Sequence, residues 1–88
     1  MKLSSNTQLY EYLISLSSKL RDAGVPQLSE AVALASRAVH TIPATEFLGE
    51  SRIALRRVLE LDVGILSSGE RSELQDVLSQ LDSALDER

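Results

Sequence analysis

The 88-residue chain has no cysteine, no tryptophan, one histidine, two prolines and only three aromatic residues. Each scarcity removes a class of protein. Without cysteine there is no disulfide framework, no thiolate metal site and no cysteine nucleophile, a composition that fits a reducing compartment. With His40 alone, the inward Glu-x-x-His pairs of a di-metal carboxylate bundle are missing. Three aromatics offer little for a base-stacking platform or an enclosed small-molecule pocket. No stretch approaches the roughly 20 apolar residues of a membrane span. The start Met1-Lys2-Leu3 is followed by polar Ser4 to Gln8, and the short apolar run Tyr12 to Leu16 carries no cleavage motif, so no export signal is expected. The expected setting is the cytoplasm.

What is present is helix-forming. Sixteen leucines and eight alanines supply much of a 43% hydrophobic content, alongside 25% charged residues. The length fits one small domain spanning residues 1–88, with a single modest core and no room for a second lobe. Charge is unevenly placed. Residues 63–88 hold two arginines and six acids, net −4, while residues 1–45 come to +1 and residues 46–62 to −1. An acidic C-terminal segment disfavours general nucleic-acid binding, which needs clustered cations; its ordinary role is that of a solvated helix face.

Four segments carry helical periodicity, over about 5–23, 26–41, 45–62 and 68–86. Ser5-Asn6-Thr7-Gln8 has the form of a capping box, and Leu9, Leu13, Leu16 and Leu20 then recur on one face. Gly24 supplies a left-handed stop, and Pro26 opens the second helix. There Leu28, Val32, Ala35, Val39 and Ile42 form the main stripe, which Ala31, Leu34 and Ala38 widen to nearly half the circumference. Pro43 interrupts the pattern and Thr45 is the expected N-cap of the third helix, with Glu46 placed for the helix dipole. Phe47, Leu48, Ala54, Leu55, Val58, Leu59 and Leu61 cluster on one side of that helix. Ser51 falls among them and is expected to bond back to the Phe47 carbonyl. Gly64 is the next stop, with Ile65 available for a Schellman contact. Ser67-Ser68-Gly69-Glu70 reads as a second capping box, ahead of Leu74, Val77, Leu78, Leu81, Ala84 and Leu85. Connections of about three to six residues make successive helices antiparallel neighbours. The predicted fold is all-α, a compact antiparallel four-helix bundle with short loops. Its alternatives are a three-helix core with the first helix outside, or two helical hairpins completed by a second chain.

No HExxH, GxSxG, P-loop or Rossmann glycine pattern occurs, so no enzyme activity, cofactor or metal is expected. His40 reads as a helix-end residue rather than a ligand. Glu46 and Glu50 share a face but lack further ligands for a hard cation. Arg52, Arg56 and Arg57 make a small basic cluster. A recognition helix, however, turns its N-terminal part to the groove, and here that part bears Glu46 and Glu50. Arg56 is one turn from Glu60 and is expected to pair with it.

Some apolar residues are not obviously consumed by the bundle. Tyr10 and Ile14 point to the side of the first helix's leucine face, and Ile53 lies outside the third helix's apolar sector beside Gly49. Apolar side chains on a polar flank can anchor a partner. Gly49 stands mid-helix, where glycine costs about 1 kcal/mol relative to alanine; close packing against another helix is the expected reason.

The run Thr45-Glu46-Phe47-Leu48-Gly49-Glu50-Ser51-Arg52-Ile53-Ala54-Leu55-Arg56-Arg57-Val58-Leu59 resembles a pattern in small bacterial all-helical proteins of no assigned function, which share a T-E-x-L-G-E-x-R-x-A-L-R helix. The resemblance implies a compact helical bacterial protein, with Gly49, Glu50, Arg52 and Arg56 as the positions to probe. The resulting expectation is a small intracellular interaction or regulatory module. It would act through a helical surface drawn from Tyr10, Ile14, Gly49, Glu50, Arg52, Ile53, Arg56 and Arg57, toward a protein partner or a second copy. An immunity- or antitoxin-like inhibitor is a variant of this reading. A DNA-associated regulator using the arginines of the third helix is the alternative.

Overall fold

The computed structural model describes Leu3, residues 5–61 and residues 64–86. Four helices follow in chain order, α1 (Asn6–Asp22), α2 (Pro26–Arg37), α3 (Ala44–Leu61) and α4 (Ser68–Asp86), with a 3₁₀ turn at Ala38–His40. They form the antiparallel four-helix bundle, 35 × 24 × 18 Å, and no strand occurs among the described residues.

Local signals set most of the boundaries. The Ser5 hydroxyl accepts from the Gln8 N–H at 3.3 Å, capping α1. At its other end the N–H of Val25 donates to Leu20 O at 3.0 Å and that of Gly24 to Arg21 O at 3.1 Å, a Schellman closure with Gly24 at φ +83. Pro26 occupies the first position of α2. Gly64, at φ +87, takes the left-handed conformation expected of a stop after α3; Asp62, the last residue expected in that helix, lies outside the described residues. The second capping box closes on both sides. Ser67 Oγ accepts from Glu70 N–H at 3.2 Å, and Glu70 Oε1 accepts from Ser67 N–H at 2.8 Å.

Two boundaries differ from expectation. The α-helical part of α2 ends at Arg37, where the chain tightens into the 3₁₀ turn at Ala38–His40, a frequent form of helix C-terminus. Thr45 does not cap α3. The helix begins at Ala44, the Phe47 N–H donates to Pro43 O at 3.0 Å, and Thr45 lies inside the first turn.

The core is built from Leu9, Leu13, Leu16 and Leu20 of α1; Leu28, Val32 and Ala35 of α2; Phe47, Ala54, Leu55 and Val58 of α3; and Leu74, Val77, Leu78 and Leu81 of α4. Leu66, in the connection before α4, joins them. Three apolar residues assigned to helix stripes are exposed instead: Leu34 at 55%, Leu61 at 55% and Ala84. Leu34 is two residues from Val32, hence about 160° around the helix from a fully buried side chain. Leu61 and Ala84 stand at the C-terminal ends of their helices, beyond the packed layer.

Polar contacts fix the helices against one another. Ser17 Oγ donates to Ser29 O at 3.0 Å and Ser29 Oγ to Ser17 O at 2.8 Å, a reciprocal link between α1 and α2. The Leu3 N–H donates to Gln80 Oε1 of α4 at 2.7 Å. Glu70 carries its cap and also an ion pair with Lys19 of α1. Ser51 is fully buried, yet its Oγ has no hydrogen-bond partner, so the back-bond expected to Phe47 is not formed. The hydroxyl is left among the apolar neighbours of the core face of α3.

Candidate interaction surface

The residues singled out from sequence separate onto three parts of the bundle. Tyr10 and Ile14 line a shallow groove between α1 and α2 that also includes Val39 and His40. Tyr10 packs partly against the core, with its ring centre 6.4 Å from that of exposed His40, and Ile14 is 44% exposed. Three serines and two arginines line this groove beside Tyr10, Ala33, Val39 and His40, with Ile14 as its one exposed large apolar side chain.

Glu50, Ile53 and Arg57 lie on the other flank of α2, along the groove between α2 and α3. Its floor is Ala31, Ala35, Ala38, Ile42 and Ala54, and its rim carries Leu34, Ile53, Glu46, Glu50 and Arg57. Ile53 is 59% exposed, the most exposed large apolar residue among those described. A shallower depression continues from Ile53 and Arg57 to Glu60 and Leu61. Three of the four exposed large hydrophobics, Leu34, Ile53 and Leu61, therefore border one continuous face. The alanines of α2 make this possible. Their small side chains let α3 approach without filling the groove, so Leu34 and Ile53 rise on opposite banks.

Arg52 and Arg56 form the third part, turned toward α4. Arg52 Nη1 lies 3.2 Å from Asp82 Oδ1, and Arg56 Nη2 lies 3.0 and 3.1 Å from Asp82 Oδ1 and Oδ2. The expected Arg56–Glu60 pair is replaced by this clamp between helices, since Asp82 offers both carboxylate oxygens to the two guanidinium groups. Sequence spacing gave no hint of it, because the partners are 30 and 26 residues apart.

Gly49 is corrected in a different way. An added Cβ there would meet nothing within 4 Å, so close helix packing inside the chain does not account for the glycine. It leaves a flat spot on the outer surface of α3, one turn before Ile53.

Between α1 and α4, Tyr12 sits beside Lys19, Glu70 and Glu73 in a separate cleft. Burial, and secondarily the charge of Glu73, push its phenol well above the usual tyrosine range. Among the described residues no group of three or more His, Asp or Glu gathers as a metal cluster, and no helix is long and apolar enough to cross a membrane.

Comparison of the chain with protein-family models, with curated proteins and with solved structures returns no match.

Proposed function

We propose that the protein is a small protein–protein interaction module whose working surface is the α2–α3 face. The observation that carries this reading is the continuity of Leu34, Ile53 and Leu61 along one pair of grooves, while the other large side chains of the helices' apolar stripes are buried or half-buried. Isolated surface leucines are ordinary; several sharing one concave, charge-rimmed face are the pattern of a docking site. Binding through this face suits a regulatory or inhibitory role, and the likeness of residues 45–59 to bacterial all-helical proteins, with the lack of cysteine, supports a bacterial cytoplasmic setting. The DNA-associated alternative has weaker support, because Arg52 and Arg56 are engaged by Asp82 and the start of α3 presents Glu46 and Glu50.

A photocrosslinking residue in place of Ile53, compared with one in place of exposed Ser79 on α4, tests the reading in cells. It expects a discrete adduct of defined mass from position 53 and none from position 79. No adduct from position 53, or the same ladder from both positions, would overturn it.

A further inference from the structure

The charges and shape of α3 point to the occupant of this face: we propose that it pairs with a second copy of the same chain, α3 against α3, antiparallel about a two-fold axis. The inference rests on the α2–α3 face being an interaction surface and goes further by naming what covers it.

The argument starts from four residues on one outward stripe of α3: Glu46, Gly49, Ile53 and Arg57. Glu46 and Arg57 are eleven residues apart, which at about 3.6 residues per turn is close to three full turns, so they share a face. Gly49 and Ile53 are adjacent on that face, one turn apart. Read from the N-terminal end the stripe is acid, gap, bulge, base. Read in reverse it is base, bulge, gap, acid. An antiparallel copy therefore presents to each feature its complement, which is the condition for an isologous two-fold contact.

With the axis passing at the level of Ser51 and Arg52, each feature meets its counterpart. Ile53, 59% exposed, comes over Gly49 of the second copy, where nothing lies within 4 Å of a would-be Cβ. Exposed Glu46 comes opposite Arg57 of the second copy, and this pair occurs twice by symmetry. Leu61 reaches the level at which Ile42 lines the groove of the other chain, and Leu34 flanks the contact from α2. Glu60 falls opposite Pro43, away from other acids, whereas exposed Glu50 stands close to the axis and meets its own copy, a repulsion that keeps the contact weak. A parallel arrangement would instead stack Glu46 on Glu46 and Ile53 on Ile53, leaving Gly49 unused.

The pairing also accounts for Gly49, which costs helix stability and has no explanation inside the chain. A flat site lets the second helix approach closely. The strip from Glu46 to Leu61 is about 22 Å long at ~1.5 Å per residue. This places the contact at the small end of specific interfaces, below about 1,200 Å² in total, as befits a reversible dimer.

Sedimentation over a concentration series to about 1 mM, on the full chain and its variants, tests the proposal. It expects a monomer–dimer equilibrium that Glu46→Arg and Arg57→Glu each weaken about tenfold or more, with the double variant Glu46→Arg/Arg57→Glu returning to within about threefold of the parent. Gly49→Leu is expected to abolish association while leaving helix content and thermal stability undiminished, since its side chain enters open space within the chain. A strict monomer at 1 mM, equal impairment of single and double charge variants, or parental association of Gly49→Leu would each overturn it. A strict monomer whose position 53 still crosslinks a different protein would remove the second copy and retain the interaction surface. A monomer with no adduct from position 53 would remove both.

Discussion

Replacing Gly49 by alanine is expected to stabilise the folded chain, although the position lies in the middle of its longest run of surface features. The expected size follows from two facts. Gly49 lies inside α3, where alanine is favoured over glycine by about 0.8–1.0 kcal/mol. The added methyl meets nothing within 4 Å, so no steric term opposes the gain. For 88 residues, an unfolding entropy of about 2.1 cal/mol/K per residue converts 1 kcal/mol into a rise in melting temperature of about 5 °C. In urea the midpoint moves up by roughly 0.5–1 M at unchanged slope, for a slope of about 1–1.5 kcal/mol/M. Circular dichroism at about 5 µM chain keeps the measurement on the monomer. Gly24→Ala is the internal control. Gly24 sits at φ +83, where a side chain is strained, so the same substitution there is expected to destabilise by about 1 kcal/mol or more. A neutral or destabilising Gly49→Ala at that dilution would refute the reasoning, for it would mean that something within the chain occupies the space above Gly49.

Three further substitutions have expected signs. Ser51→Ala removes a buried hydroxyl that has no hydrogen-bond partner, and is expected to stabilise by about 1 kcal/mol in urea denaturation; a loss of stability would mean the hydroxyl is bonded in solution. Ser67→Ala removes half of the reciprocal cap of α4 and is expected to cost about 1 kcal/mol, read from the thermal midpoint, with a shift below about 0.3 kcal/mol contradicting the cap. The raised Tyr12 phenol means that the folded state keeps its proton after the unfolded state has released it. Stability is then fully present below the ordinary tyrosine value of about 10 and falls as pH rises beyond it. Urea midpoints measured from pH 8 to pH 11 are expected to decline less steeply for Tyr12→Phe than for the parent, and equal slopes would exclude Tyr12 as the cause.

Features decided within a few residues were legible in the sequence. Ser5, Gly24, Pro26 and the Ser67–Glu70 box all act on backbone groups within about one turn, and the structure places each where its local chemistry requires. Thr45 misled because an acceptable capping side chain was present while Pro43, two residues earlier, had already supplied the first helical carbonyl. The leucine periodicity identified the helices but overstated their buried arcs. Neighbouring helices cover only part of a cylinder, so Leu34, on the rim of the α2–α3 groove, and Leu61, at the end of α3, stay in solvent. The proposed surface was legible in pieces. Ile53, Glu50 and Arg57 stand out in the sequence, whereas Leu34, which completes the face, reads as part of the second helix's apolar stripe, and Ile42 both packs against the core and lines the groove. Tyr10 and Ile14 belong to the opposite flank of α2, and Arg52 and Arg56 to the Asp82 clamp. Only the three-dimensional course of the chain separates these groups, because each depends on contacts between helices distant in sequence. Leu66, a core residue in a connection, shows the same limit: no periodicity marks a single apolar side chain in a turn.

The most direct test of a second copy as the occupant of the α2–α3 face is a methyl-resolved NMR concentration series from about 20 µM to 1 mM. The account predicts shifts confined to the methyl groups of Leu34, Ile42, Ile53 and Leu61, with those of buried Leu13 and Leu74 and of Ile14 on the opposite flank unmoved. Shifts centred on Ile14, or none at all among Leu34, Ile53 and Leu61, would contradict it.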